Sequence, residues 1–321
     1  MKMPGYMLIV FFAVVPRVHA QSDYPAKPIR VLVPFAAGGS AEVFARLTMQ
    51  RLQERWNAQS VVEARPGAGG MIATELAAKA PADCYTLIFV TVGHAVNPSL
   101  YSKMPYDAVS DFAAIGLVAM APNVLVVHPS VPVNNVKALV ALAKSRPGIL
   151  NYGSGGIATT AHVAAAMFSS MAGIEMLHVP YKGATLALQD LIGGRLDLML
   201  DQIPSSIGHL RSGRLRALAV TPAKRTPLLA EVPTLAEAGV SGYDFTAWWM
   251  VLAPAKTPPQ IIGRLNEELR GAATDAGFRE RLAKVGADPA PALQPAAAQA
   301  FMVNEIARWA KVVKQANIRI Q

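Results

Sequence analysis

The sequence predicts an α/β protein of two units, each a mostly parallel sheet flanked by helices. Three observations carry this. Short β-branched runs alternate with alanine-rich helical stretches, the alternation restarts midway along the chain, and glycine- and serine-rich turns follow the strands where helices begin. With 321 residues, 52% hydrophobic and 16% charged, the chain is long enough for two cores and too apolar for disorder.

The N-terminus reads MKMPGYMLIVFFAVVPRVHAQS, with Lys2 as a basic start, an apolar run, and the small residue Ala20 before a cleavage point. That pattern predicts a signal peptide over 1–20, removed on export. A membrane anchor needs about 20 apolar residues, and Pro16 and Arg17 stop this run early. The first unit then reads as the strand IRVLVPF, a helix over 41–56, the strand SVVEAR, a helix after Gly70 and the strand YTLIFVT. The second reads as NVLVVHP, a helix over 136–144, LNYGSGG, a helix over 160–171, MLHVPY, a helix over 185–192, LDLMLDQ and LRALAVT. From Pro258 helical patches are broken by ADPAPALQP, and the chain closes on FMVNEIARWAKVVKQA. There Phe301, Ile306, Trp309 and Val313 share one helical face, which makes Trp309 a packing anchor.

The formal charge of +9 falls to +7 when Lys2 and Arg17 leave with the signal peptide. Such a balance favours anionic small molecules or surfaces. The basic residues are scattered and not interleaved with aromatics, so nucleic acid is not an expected partner. Cys84 is the only cysteine, which leaves no internal disulfide and no lipid-anchoring cysteine at the cleavage point and suits a bacterial periplasm. Cys84 reads as a small packed residue.

In open α/β sheets ligands sit outside the carboxyl ends of strands, where helix-start N–H groups point outward. PFAAGGS, RPGAGG and TVGHAVN occupy such places in the first unit, and YGSGGIATTAH and PYKGAT in the second. Ser40 reads as a helix N-cap with Glu42 in the first turn. Gly67, Gly69 and Ala73 miss the GxGxxG spacing and no GxxxxGK[ST] is present, which excludes dinucleotide and P-loop readings. Ser154 lacks the glycine of a nucleophile elbow. His94, His128, His162, His178 and His209 have no metal spacing and read as structural, although His94 and His162 fall in ligand-facing turns of the two units. No cofactor and no metal are expected.

Together VPFAAGGSAEVFAR, EARPGAGGMIA, ADCYTL, HAVNPSLY, NYGSGG with TTAH, HVPYKGATLALQDLIGGRLDLML, LRALAVTPAKRTPLLAEVPTLAEAG and WWMVLAPAKTP resemble the Bug family, the solute-binding proteins of tripartite tricarboxylate transporters. The motifs run in order over essentially the whole mature chain. The resemblance implies a monomeric periplasmic two-lobed clamshell of the Venus flytrap kind, without catalytic activity, that binds a small carboxylate and serves membrane transporter subunits. It implies a discontinuous first lobe, 21–121 plus 247–321, and a second lobe, 122–246, joined through IGLVAMAPNVLVV and DFTAWWMVLAP.

Carried onto this chain, the family's ligand turn is Phe35, Ala36, Gly38 and Gly39, with Ala68 and Gly69 beside it, and neutral backbone donors and water would meet a carboxylate there. His94 faces the same turns. The second lobe would contribute Ser154, Gly155, Thr159 and Thr160, then Tyr181, Lys182 and Gly183. Asp201 would accept from the ligand or orient a loop, and Lys182 would meet the ligand or stay a solvated rim charge. Two positions depart from the family pattern: Ala41 and Glu42 stand where Thr and Asp are usual, and Cys84 where Gly is usual. A binding protein that signals to a membrane receptor is the alternative reading, and an enzyme on the same scaffold a more distant one.

Overall fold

A computed structural model describes residues 24–35, 37–315 and 318; the predicted signal peptide lies outside them. The first lobe opens with β1 (Ile29–Val33), α1 (Ser40–Trp56), β2 (Ser60–Ala64), α2 (Met71–Ala78), β3 (Thr86–Thr91) and α3 (Val92–Leu100). The long strand β4 (Phe112–Val127) leads to α4 (Val136–Ser145), β5 (Asn151–Ser154), α5 (Thr160–Ala172), β6 (Leu177–Pro180), α6 (Ala184–Ile192), β7 (Leu198–Gln202), α7 (Ile203–Arg211) and β8 (Arg216–Val220). The chain returns through β9 (Thr246–Pro254) to α8 (Pro259–Thr274), α9 (Ala276–Lys284), β10 (Asp288–Pro289) and α10 (Pro295–Gln315).

The strands form a continuous sheet in the order β2-β1-β3-β9-β4-β7-β5-β6, with β8 and β10 pairing β4 off that path. Pairing is parallel towards both ends, between β1 and its neighbours β2 and β3 and between β5 and its neighbours β6 and β7. It is antiparallel where β4 and β9 join the halves. β4 pairs with β9 as far as Pro122↔Thr246 and with β7 from Asn123↔Gln202. β4 and β9 are almost wholly apolar because each face is covered, Asn123 being the buried polar exception in β4.

The helical elements follow local chemistry. Asn135 caps α4 by accepting from the Ala138 N–H at 2.8 Å, and Asp275 caps α9 by accepting from that of Phe278 at 2.7 Å. Two helices are not read from the sequence: α3, where TVGHAVN suggests a turn, and α7, where it assigns no element; α3 carries Gly93 in its first turn and Pro98 within it, and both residues weaken a helical pattern.

Cys84 is fully buried with φ of 64°, the left-handed region a glycine takes without strain. Its carbonyl accepts from the Tyr24 hydroxyl at 2.9 Å, and burial pushes its thiol up to about 12. It is a packed residue, as its turn context suggested, and not a nucleophile.

One large core follows the sheet and includes Trp248, Trp249 and Trp309. Trp309 is fully buried, as its place on the closing helix predicts. Glu305 is buried between two indoles, its Oε2 accepting from Trp248 Nε1 at 2.8 Å and from Trp309 Nε1 at 3.2 Å. Glu305→Ala leaves both N–H groups buried without an acceptor and is expected to cost ~2–4 kcal/mol, read as a loss of several degrees in the melting temperature. Glu305→Gln keeps an acceptor and is expected to lose less than half of that.

Candidate functional site

β1 feeds the glycine turn that opens α1. Ala36 lies outside the described residues. Gly38 has φ of 84°, so the turn's left-handed residue is Gly38, while Gly39 is extended with φ of −81° and ψ of 165°. Gly39, not Ser40, is the N-cap, and Ser40 is the first helical residue. Glu42 explains the change. Its carboxylate folds back to accept from the Gly38 N–H at 2.7 Å and from Arg46 Nε at 2.8 Å, closing the turn without a serine hydroxyl. The Gly38 bond, then the Arg46 bond, hold the Glu42 carboxyl below its usual range. One turn donor is thus already engaged by a side chain of the protein itself.

The second turn, Ala68–Gly70, carries left-handed φ values at Ala68 (47°), Gly69 (63°) and Gly70 (93°). A Cβ at Gly69 would lie 2.9 Å from Tyr101 Oη, and one at Gly70 3.0 Å from Pro34 Cβ, so the turns pack with no room for a side chain. Thr91 ends β3 and caps α3 by accepting from the Gly93 N–H at 3.4 Å.

His94 follows on α3, buried against Tyr106 and Phe112. Its Nε2 lies 2.9 Å from the Ala108 carbonyl; a carbonyl only accepts, so Nε2 carries the proton and Nδ1 is an acceptor. Burial lowers this imidazole to about 4, leaving it neutral at pH 7. Asn97 donates from Nδ2 to the Gly69 carbonyl at 3.0 Å. Pro34, Phe35, Gly69, Thr91, His94 and Asn97 line a small recess of about 10 Å³, room for about one water molecule. Among the described residues, His94 Nδ1 and Asn97 Oδ1 are buried without a hydrogen-bond partner, the condition of groups that meet water or a ligand.

In the second lobe the hydroxyls predicted to face a ligand are largely engaged within the protein. Ser154 Oγ lies 2.7 Å from His178 Nε2 and accepts from the Gly156 N–H at 3.1 Å. Thr159, the N-cap of α5, donates to the Gly156 carbonyl at 2.7 Å, and Tyr181 donates to Asp190 Oδ2 at 2.7 Å. The first residue of α5, Thr160, is half-buried, and Lys182 is exposed. Gly183 has φ of 145° and caps α6, whose first N–H sits where Gly155 must be a glycine: a Cβ there would lie 2.9 Å from Ala184 N. Asp201 is buried at the end of β7 and accepts from Ser206 Oγ on α7 at 2.8 Å; burial raises its carboxyl to about 6.

The structure therefore brings Phe35, Gly69 and His94 to one recess, and Ser154, Gly155 and Gly183 to one wall in the other lobe. The two walls meet where a Cβ on Gly93 would lie 2.9 Å from the Ala158 carbonyl oxygen. Asp201 is tied to α7 instead. Sequence reasoning left out Thr91, Asn97, Ala158 and His178 as site residues. Ala158 has φ of 62°, a strained value that no sequence pattern announced. Thr91 was recoverable as a Thr at a strand end two residues before a glycine.

The chain is similar to known proteins over most of its length. Residues 44–318 match the model of the tripartite tricarboxylate transporter family receptor. The protein BugT of Bordetella pertussis is 36% identical over 300 residues, covering 93% of this chain and 92% of its own. An R. palustris protein whose structure holds adipate is 40% identical with a TM-score of 0.87, over 92% of this chain and 99% of its own. MatC of Rhodopseudomonas palustris, with bound malate, is 30% identical with a TM-score of 0.84, over 90% of this chain and 100% of its own. With family match, relatives and fold in agreement over nearly its whole length, the chain belongs to the receptor family of the tripartite tricarboxylate transporters.

Proposed function

We propose that this protein is an extracytoplasmic solute-binding protein, not an enzyme, that captures a small organic acid between lobes 21–121 plus 247–321 and 122–246 and delivers it to the membrane subunits of a tripartite tricarboxylate-type transporter. One observation carries the reading. The helices α2 and α3 of the first lobe begin at the recess, with Phe35 of the turn before α1 beside them, and α5 and α6 of the second begin next to Ala158 and Gly155, where Gly93 meets Ala158. Each start offers unpaired backbone N–H groups and the positive end of a helix dipole, worth about 0.3–1 kcal/mol to a nearby anion. Among the described residues no lysine or arginine lines the recess, so a carboxylate is met by neutral donors and water and remains releasable.

The relatives solved with adipate and malate support a carboxylate as ligand. On this reading the Phe35 to Gly39 turn, Ala36 included, and the Ala68 and Gly69 turn receive one end of the acid with His94 behind them. Backbone at Gly155, Thr159, Thr160 and Gly183 receives the other, with Ser154, Tyr181 and Asp201 bracing that wall and Lys182 at the rim. Export to the periplasm follows from the leader pattern, and no helix among the described residues is long and apolar enough to cross a membrane.

A thermal-shift screen of mono- and dicarboxylates tests the reading. At about 100 times a micromolar dissociation constant the ligand adds roughly 2.7 kcal/mol of apparent stability, a rise of several degrees. No shift with any acid, and a shift with sugars or cationic amino acids, would overturn it.

A further inference from the structure

The second-lobe wall contains a group that the binding reading leaves without a role. His178, on the outer strand β6, is directly opposite Tyr152 of β5 in the parallel register. The two rings stack with centroids 4.8 Å apart, and on the α5 side His178 stacks on His162 at 4.2 Å. Two hydrogen-bonded arms leave this stack for the same loop. One runs from His178 Nε2 to Ser154 Oγ at 2.7 Å and on to the Gly156 N–H at 3.1 Å. The other runs through His162, whose Nδ1 accepts from the Ala158 N–H at 3.2 Å. Between the arms lies Ala158, held at φ of 62°, whose carbonyl is the atom that Gly93 approaches from the other lobe.

We propose that His178 is a positioning residue for ligand capture: through Ser154 and through the stacked His162 it holds the loop from Gly155 to Thr159, with its left-handed Ala158, in the ligand-receiving shape before the acid arrives. This rests on the carboxylate-binding reading. A left-handed alanine is strained and persists only where its surroundings over-determine it, and the two arms are that determination. Preorganising the loop removes an ordering cost from binding. Burial keeps His162 neutral, at about 4, and burial with the neighbouring His162 keeps His178 neutral, at about 3, so the stack carries no charge at pH 7. His178 is half-buried on its edge strand, and its Nε2 is bonded to the fully buried Ser154, so it reaches the loop through that hydroxyl.

The test separates the arms with three variants. His178→Phe keeps a ring in the stack and loses the bond to Ser154; His178→Gln keeps a polar group within reach of Ser154 and loses the stack; His178→Ala loses both. Hydrogen exchange without ligand is expected to show the Gly156 amide exchanging about tenfold faster in His178→Phe, the Ala158 amide about tenfold faster in His178→Gln, and both faster in His178→Ala. Calorimetry with adipate and malate is expected to show His178→Ala binding at least tenfold more weakly, with His178→Gln recovering part of the loss, while far-UV circular dichroism matches the parent. Parent-like exchange at both amides in His178→Ala, or parent-like affinity, would overturn the proposal and leave the carboxylate reading standing. A parent that binds neither these acids nor any other in the carboxylate screen would overturn the carboxylate reading and, with it, the ligand role given to His178.

Discussion

Gly93→Val is expected to weaken carboxylate binding about 100-fold and to abolish the compaction that ligand produces, with the ligand-free melting temperature unchanged within about two degrees. The ideal Cβ at this position lies 2.9 Å from the Ala158 carbonyl oxygen, closer than real Cβ contacts fall. Both partners are backbone-fixed: Gly93 is in the first turn of α3 behind the Thr91 cap, and Ala158 is held by the His162 bond. Neither side yields by a rotamer change, so the added atoms hold the walls apart. Overpacking of a close contact costs about 1–3 kcal/mol, and 1.36 kcal/mol is tenfold in affinity. Gly93 is not left-handed, so the helix accepts a side chain, and the penalty falls on the closed arrangement alone. Gly93→Ala is expected to give a smaller loss, near tenfold. Small-angle scattering decides the matter: compaction of Gly93→Val on adding acid, equal to that of the parent, would mean that the Gly93 contact is not a closure contact.

The parts of this site that were legible in the sequence are those set by local chemistry. The strands follow from β-branched runs such as IRVLV and TLIFVT, and the crossing segments from apolar runs too long for one lobe, which become β4 and β9. The glycine turns announced the cleft because tight strand-to-helix joins need residues without a Cβ, and Gly69, Gly70 and Gly155 confirm that need by what a Cβ would strike. The features that local sequence did not announce have a different origin. Ser40 looked like an N-cap by residue type, but Glu42 reaches Gly38 and shifts the cap to Gly39. Tyr181 was expected to meet one end of the ligand, and the second turn of α6 also brings Asp190 within 2.7 Å of its hydroxyl. Ser154 looked free, but the register Tyr152↔His178 places Pro180 opposite it and folds the imidazole onto its hydroxyl. Strand register and helix phase are tertiary facts, and no window of local sequence contains them.

Lowering the pH from 7 to 5 is expected to destabilise the ligand-free protein by about 3–4 kcal/mol, with the half-buried His178 contributing less than a fully buried imidazole, a large share of the 5–15 kcal/mol that holds a typical domain. Burial is the leading cause that depresses His94 and His162 to about 4 and His178 to about 3. In the unfolded chain each titrates near 6.5. Above that value both states are neutral and the groups are silent. Between about 6.5 and 4 the unfolded chain binds protons that the native state refuses, so stability falls with pH at up to about 1.4 kcal/mol per unit for each imidazole. Asp201 acts in the opposite sense. Its carboxyl is raised to about 6 by burial against about 3.9 when unfolded, so the native state takes up its proton first and recovers about 1 kcal/mol by pH 5. Denaturant titrations at pH 7, 6 and 5 should show the midpoint falling steadily. Asp201→Asn should steepen the fall by removing the opposing group, and His94→Gln should shallow it by roughly half. A stability that stays level from pH 7 to 5 would mean that these imidazoles take up protons in the native state as readily as in the unfolded chain, and that the stack beneath the Ala158 loop is open to water.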